Sequence, residues 1–126
     1  MIKVEEVKLF RKFWHPKLLE VTQWCLIWWP GTFCITSMWR KKKDDSGIHE
    51  TFPLRAIDVR SWYWNDKTCE KIEQRINKYW DYDRERPNLV VCKWHDTGKG
   101  KHFHIQVHPN TQKALWFPEE PKIIIT

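Results

Sequence analysis

The segment from His102 to His108 constrains the fold more than any other part of the chain. Its seven residues, HFHIQVH, alternate between polar and apolar side chains. Because neighbouring side chains of a β-strand point to opposite faces, the alternation predicts a strand with an apolar face and a face carrying His102, His104, Gln106 and His108. A merely solvated polar face is the alternative interpretation. Three of the six histidines on one surface favour a functional site.

The residues before this strand predict a β-hairpin. A second strand-like segment, 89–96, is separated from the histidine strand by the glycine-rich residues 97–101. A five-residue loop would place Asp96 opposite His102, so that Asp96 shares the histidine face and Trp94 faces His104. A bulge would shift the register and bring His95 to that face instead.

His49 and Asp58 give a second signal. They lie in a loop and in a strand-like segment, respectively, and can meet only through the fold. Combined with the histidine strand they complete a set of two neutral imidazoles and one carboxylate. Such a set suits a catalytic zinc ion whose fourth position is left for water.

The remaining periodicities predict a small α+β domain in which helices pack on an antiparallel sheet. We expect the whole chain, 1–126, to form one domain, since its length fits a single modest core. Asp66 is the predicted N-cap of the second helix, and the C-terminal isoleucines predict an edge strand. The predicted helices are 16–29 and 67–80, and the predicted strands are 33–40, 54–60, 89–96 and 102–108.

Composition narrows the class of protein. The mean hydropathy is −0.69 and charged residues make up 30% of the chain, which together argue against a membrane protein. The N-terminus lacks the apolar core of a signal peptide, so we expect the chain to be cytoplasmic as synthesised. A net charge of +6 favours an anionic partner, such as nucleic acid, a cell wall or a membrane surface. A monomer is expected.

The four cysteines predict free thiols. Cys25, Cys34, Cys69 and Cys92 are widely spaced and form no CxxC pair, which argues against a cysteine zinc site. In a chain without an export signal the default is four reduced and mostly buried thiols.

Three segments together resemble the D-Ala-D-Ala carboxypeptidase family of zinc peptidases, whose fold the Hedgehog signalling domain shares. The segments are FCITSMWR at 33–40, the Ser46…His49…Asp58 series, and HFH at 102–104. Their order and rough spacing follow the family over residues 33–108. The His-x-His form of the last segment is most similar to the Hedgehog branch.

The resemblance implies a zinc-dependent peptidase that cleaves short bacterial cell-wall peptides. It implies His49, Asp58 and His104 as the zinc ligands and His102 as an auxiliary histidine near the metal-bound water. Arg40 would stabilise the oxyanion or hold the substrate carboxylate. Phage endolysins belong to this family and lack signal peptides because a holin releases them, which would bring a cytoplasmic protein to the cell wall.

The chain departs from the family pattern in three places. Eight residues separate His49 from Asp58 where the family has six, and the glycine expected shortly after the histidine is missing. Lys101 occupies the position of the usual acidic residue before the last histidine. The resemblance therefore leaves the general base open. Asp96 is the first candidate, with His95 and Glu50 as alternatives.

Other functions fit parts of the pattern. The histidine-triad nucleotide hydrolases and transferases have a His-x-His-x-Gln segment with the middle histidine as nucleophile. The HUH endonucleases combine a His-x-His metal site with a tyrosine that attacks single-stranded DNA, for which Tyr79 and Tyr82 are the available residues. A zinc-binding module without catalysis and a basic, tryptophan-rich binding module are further alternatives. Nucleic acid is thus a less favoured partner than a peptidoglycan peptide.

Overall fold

The computed structural model describes residues 14–38, 53–98 and 100–115. The described residues form two α-helices and six β-strands, which confirms the predicted α+β class. The helices are α1 (Pro16–Trp28) and α2 (Asp66–Tyr79), and the strands are β1 (Ile35–Ser37), β2 (Ala56–Arg60), β3 (Trp80–Asp81), β4 (Cys92–Asp96), β5 (Lys101–Gln106) and β6 (Gln112–Lys113).

Helix α1 starts where the sequence predicts. Pro16 occupies the first turn, where its missing N–H costs nothing, and the Nδ1 atom of His15 accepts a hydrogen bond from Lys17 N at 3.0 Å. The helix stops one residue before its predicted end, because Trp29 adopts an extended conformation before Pro30.

Helix α2 is capped by Asn65 rather than by the predicted Asp66. The Asn65 side chain accepts a hydrogen bond from Thr68 N at 2.9 Å, and Asp66 occupies the first turn, where its charge favours the positive end of the helix. Ile72 and Ile76 are buried at helical spacing, as predicted.

Four strands form an antiparallel sheet in the order β1-β2-β5-β4. In the central pair, Asp58 lies opposite His104 and Arg60 lies opposite His102. Alternation then gives the sheet two different faces. One face carries Asp58 and the histidines, and the other carries apolar residues that join the core: Ile57, Val59, Phe103 and Ile105.

The hairpin register differs by one residue from the predicted five-residue loop. Asp96 pairs with Lys101 and His95 pairs with His102, so the connection is four residues long. Gly98 and Gly100 have φ values of +102° and +93°, a backbone conformation that favours glycine and closes the shorter turn. The predicted pairings of Asp96 with His102 and of Trp94 with His104 are therefore wrong.

The core is built from aromatic rings of α1 packed on the apolar face of the sheet. Trp29 contacts Phe103 of β5 edge to face, with ring centroids 5.5 Å apart, and Trp28 is fully buried. Trp24 stacks on Tyr79 at 4.4 Å, which ties α1 to α2. These contacts leave the histidine face as the side of the sheet away from the described helices.

Helix α2 protects the edge strand β4. The Asn77 amide accepts a hydrogen bond from Cys92 N and donates one to Cys92 O, both at 2.8 Å. Two residues farther along β4, Trp94 N donates to the Glu73 carboxylate at 2.7 Å. Side chains of α2 thus satisfy backbone groups that an open sheet edge would offer to another chain.

The short sheet formed by β3 and β6 is absent from the sequence prediction. Trp80 pairs with Lys113 and Asp81 pairs with Gln112, directly after α2 ends. The segment was predicted as the end of a helix followed by a loop, and two residues are too few for a period-2 pattern. The predicted edge strand at the C-terminal isoleucines lies outside the described residues.

The four cysteines are free thiols, and three of them are buried, as predicted. Burial raises the pKa of the Cys25 and Cys92 thiols far above the ordinary value, and raises that of Cys69 to about 11. Among the described helices, none is long and apolar enough to cross a membrane.

Asn77→Ala should destabilise the protein by about 1–3 kcal/mol, because both hydrogen bonds to Cys92 are lost. The free energy of unfolding in urea, followed by tryptophan fluorescence, measures the effect. Gln74→Ala on the exposed side of the same helix is the matched control and should change stability by less than about 0.5 kcal/mol. Equal effects of the two substitutions would contradict a role for Asn77 at the sheet edge.

His15→Asn should reduce the loss of stability in acid. Burial lowers the pKa of His15, and the positive charges of Arg55, Lys17 and His108 lower it further. Because the folded pKa lies below the ordinary 6.5, the stabilising contribution of His15 is complete above that pH and is lost as the pH falls. Asparagine caps the helix at any pH.

Urea midpoints at pH 7.5 and pH 5.0 test the role of His15. His15→Ala is the control, since it removes the cap and the titrating ring together. It should lower stability by about 0.5–2 kcal/mol at pH 7.5 and by less at pH 5.0, where the wild type has already lost part of the contribution of His15. An identical pH dependence of the wild type and His15→Asn would refute the assignment.

Candidate functional site

Asp58 and His104 form the centre of the candidate site. They come from the adjacent strands β2 and β5, lie opposite each other in the register, and are separated by 46 positions in the chain. The Nδ1 atom of His104 lies 3.1 Å from Oδ1 of Asp58. Asp58 is only 2% exposed. The fold therefore brings together two of the three predicted zinc ligands.

Gln106 fixes the orientation of the His104 ring. Its Oε1 atom lies 3.0 Å from Nε2 of His104, while its own amide nitrogen donates to Val90 O at 2.9 Å. The second hydrogen bond sets which amide atom faces the imidazole, so Nε2 of His104 must carry the proton and donate it to Gln106. A neutral His104 then has its lone pair on Nδ1, directed at Asp58.

This arrangement places two acceptors against each other. A lone pair on Nδ1 of His104 and a carboxylate oxygen of Asp58 repel at 3.1 Å unless a proton or a cation lies between them. Both occupants fit the distance. A charge-assisted hydrogen bond spans about 2.7–3.1 Å, and two ligands bound tetrahedrally to one zinc ion at about 2.0–2.1 Å are about 3.3 Å apart.

His102 borders the pair on β5. Its Nδ1 atom faces the backbone carbonyl of Gly100 at 3.3 Å and therefore carries a proton there. Its Nε2 atom lies 3.6 Å from Oδ1 of Asp58. His102 is thus next to the carboxylate but beyond hydrogen-bond distance. Its implied place near a metal-bound water stays a prediction.

His95 completes the imidazole cluster from β4. Its ring centroid lies 5.2 Å from that of His102 and 5.9 Å from that of His104. Burial lowers the pKa of His95, and positive charge on His102, His104 and Lys93 lowers it further, while Asp58 opposes the shift. In the described part of the chain its buried Nε2 atom has no hydrogen-bond partner. His95 is therefore a mostly neutral imidazole at pH 7, with one ring nitrogen that forms no hydrogen bond there.

Asp96 lies on the other face of β4 and does not point toward the histidines. Its carboxylate accepts hydrogen bonds from Gly98 N at 2.7 Å and from Gly100 N at 3.0 Å, so it caps the hairpin turn. The prediction of Asp96 as the general base depends on the predicted register, which is wrong by one residue. The shorter turn puts His95 in the position that the prediction gave to Asp96.

His108 is separate from the cluster, although the sequence pattern placed it on the same face. Strand β5 ends at Gln106, and His108 begins a turn in which its Nδ1 atom accepts a hydrogen bond from Asn110 N at 3.0 Å. The Asp83 carboxylate lies 3.8 Å from the same ring nitrogen. The histidine face therefore carries three histidines with His95 in place of His108.

Three predicted site residues lie outside the described residues: His49, Arg40 and Glu50. Within residues 14–38, 53–98 and 100–115, no group of three His, Cys, Asp or Glu side chains is arranged to hold a metal ion. Asp58 and His104 are thus two ligands of a predicted set whose third member, His49, the structure does not describe.

Two residues of the site had no role in the sequence prediction. Gln106 was placed on the histidine face without a function, because its contact with Val90 depends on how β5 and the segment before β4 meet in space. Arg60 is the second residue without a role in the sequence prediction. Its spacing of two residues from Asp58 on a predicted strand was the available signal, since such residues share a face.

The geometry argues against the two alternatives from the sequence, a histidine-triad enzyme and an HUH endonuclease. Gln106 binds Nε2 of His104, and Nδ1 lies 3.1 Å from a carboxylate oxygen. A proton or a metal ion fits between Nδ1 and that oxygen, but the phosphorus atom that a nucleophilic histidine attacks does not. Tyr79 stacks on Trp24, and Tyr82 is 5% exposed and in the core cluster. Neither tyrosine is part of the histidine face.

Comparisons of this chain with protein-family models, with curated proteins and with solved structures find no match. The peptidase resemblance therefore stays a prediction based on the motifs alone.

Proposed function

We propose that this protein is a zinc-dependent peptidase that cleaves short peptides of the bacterial cell wall. The observation that carries the proposal is the opposition of Asp58 Oδ1 and His104 Nδ1 at 3.1 Å, two acceptor atoms that need a cation or a proton between them. The sequence motifs predict both residues as ligands, and that prediction does not depend on their contact in space. Their contact across β2 and β5 supports the ligand assignment.

The residues that would hold zinc are Asp58, His104 and His49. The donor set fits the metal, because one carboxylate and two neutral imidazoles leave one position of a tetrahedral site for water. When bound, zinc lowers the pKa of that water to about 7 and polarises a carbonyl oxygen.

Gln106 and Val90 support the ligand His104. The ring proton on Nε2 is held by Gln106, so that Nδ1 remains available to a metal ion. Hydrogen bonds of this kind fix the tautomer and the ring angle of metal-binding histidines, and their loss commonly lowers metal affinity about 10–100-fold. The anchored amide of Gln106 fits this supporting role.

His95 is the proposed general base. Its lowered pKa keeps the ring neutral near pH 7, and its Nε2 atom is free to accept a proton. His102, with its ring centroid 5.2 Å from that of His95, is placed to orient the substrate or to return a proton to the leaving amine. Arg40, implied by the resemblance, would stabilise the developing negative charge on the carbonyl oxygen.

The choice of substrate comes from the resemblance, and the charge of the protein agrees with it. A net charge of +6 favours association with an anionic cell wall.

The alternative to a metal ion between Asp58 and His104 is a shared proton, which would make the site a buried ion pair without catalysis. Metal analysis separates the two cases.

Asp58→Asn should abolish zinc binding and peptidase activity together, while the wild type contains about one zinc ion per chain. Asparagine keeps the shape of the side chain but is a far weaker zinc ligand. Elemental analysis of untagged protein and release of peptides from bacterial cell walls are the two measurements. Asp96→Asn is the matched control on the opposite face and should retain both properties.

A wild-type protein that contains no zinc and takes up none on titration would overturn the proposal. Retention of zinc by Asp58→Asn would remove Asp58 from the ligand set.

His95→Gln should lower kcat about 10²–10⁴-fold while zinc content stays unchanged, because the proton acceptor is lost and the ligands are not. Steady-state kinetics on a cell-wall peptide, with zinc analysis of the same samples, test this. Unchanged kcat in His95→Gln, or an equal loss in Asp96→Asn, would show that the base is another residue.

A further inference from the structure

Arg60 extends the histidine face by one position along β2. It lies two residues after Asp58, so both side chains are on the same side of the sheet. Across the register Arg60 is opposite His102, and His102 is in turn opposite His95. A row of Arg60, His102 and His95 thus runs beside the Asp58–His104 pair, one step toward the end of the strand.

The Arg60 guanidinium lies over the ring of Trp62, with its central carbon 4.1 Å from the ring centroid. Trp62 is 72% exposed, and the neighbouring Tyr63 meets it edge to face with centroids 6.4 Å apart. The stack therefore stands at the surface, where the polypeptide leaves β2.

The hydrogen-bond donors of this guanidinium are unused in the described part of the chain. The Arg60 side chain forms no hydrogen bond or ion pair there, whereas Arg84 binds Asp81 at 3.3 Å and Arg86 binds Asp83 at 2.9 Å. An aromatic ring over the face of a guanidinium leaves the N–H groups at the guanidinium edge available, and these can bind a carboxylate through two parallel hydrogen bonds.

We propose that Arg60, held in place by Trp62, binds a carboxylate group of the peptide substrate. Two residues of β-strand span about 6.5–7 Å, so the backbone positions of Arg60 and Asp58 are separated by about the length of two extended peptide residues, and one short peptide can reach both. The inference takes its ligand, a cell-wall peptide, from the proposed function. Such peptides carry carboxylates at the C-terminus and on D-glutamate, and either could be the group bound.

Calorimetric titration with the pentapeptide L-Ala-γ-D-Glu-L-Lys-D-Ala-D-Ala tests the proposal. Two further forms of the peptide carry an amide at the C-terminus or on D-glutamate. EDTA is present, because it stops zinc-dependent turnover and leaves Arg60 and Trp62 untouched. One of the two amides should bind wild-type protein about 10–100-fold more weakly than the free acid, the range expected for a charge-assisted pair.

Arg60→Met should lower the affinity for the free-acid peptide by the same factor of about 10–100. It should leave unchanged the affinity for the amide form that binds weakly to the wild type. Arg60→Lys should recover only part of the loss, since lysine keeps the charge without the planar fork. Lys101→Met is the matched control. It also removes one positive charge stacked on a tryptophan, Trp94 at 4.2 Å, but on the opposite face of the sheet. Lys101→Met should leave the affinity for all three peptides unchanged.

Equal affinity of wild-type protein for all three peptides would overturn the proposal, and so would equal losses in Arg60→Met and Lys101→Met. Binding of a single-stranded oligonucleotide that depends on Arg60 and Trp62, with no peptide binding, would also overturn it and assign the stack to nucleobases. Turnover is measured separately on protein as purified. Binding that depends on the carboxylate, without turnover, would refute the proposed peptidase activity and support the Arg60 subsite. Turnover without dependence of binding on the carboxylate would support the peptidase activity and refute the Arg60 subsite.

Discussion

The structure depends on the register between β2 and β5. Apolar side chains at Ile57, Val59, Phe103 and Ile105 must face the core together, and this requirement alone directs Asp58 and His104 to the other side. A slip of one residue would exchange the two faces and place a carboxylate among tryptophans. The hydrophobic effect therefore positions the polar site, although no apolar residue takes part in its chemistry.

The same register imposes an electrostatic cost. A carboxylate that is 2% exposed is tolerated only with a compensating positive charge and directed hydrogen bonds. Gln106 cannot provide the charge, and its fixed amide prevents His104 from turning its protonated nitrogen toward Asp58. The contact between these two residues is therefore favourable only with a proton or a cation between His104 Nδ1 and Asp58 Oδ1.

The parts of the fold that follow from local pattern were predictable from the sequence. The alternation of polar and apolar residues predicts the two faces of β2 and β5. Pro16 predicts the start of α1, and Pro30 predicts its end. The register of the hairpin was not predictable from the pattern, because a four-residue turn and a five-residue turn both accommodate two glycines. The choice depends on the Asp96 carboxylate binding Gly98 N and Gly100 N, a contact invisible in the pattern. The contacts of Gln106 and Arg60 depend on that same packing in space.

The one-residue difference in the hairpin determines the chemistry available at the site. With Asp96 on the histidine face, Asp58 would have a second carboxylate nearby, and the two like charges would repel each other. With His95 there instead, the face combines one carboxylate with three imidazoles, and Asp96 and Lys101 are paired on the other side. Under the proposed function, the turn thus decides which group lies beside the Asp58–His104 pair to accept a proton.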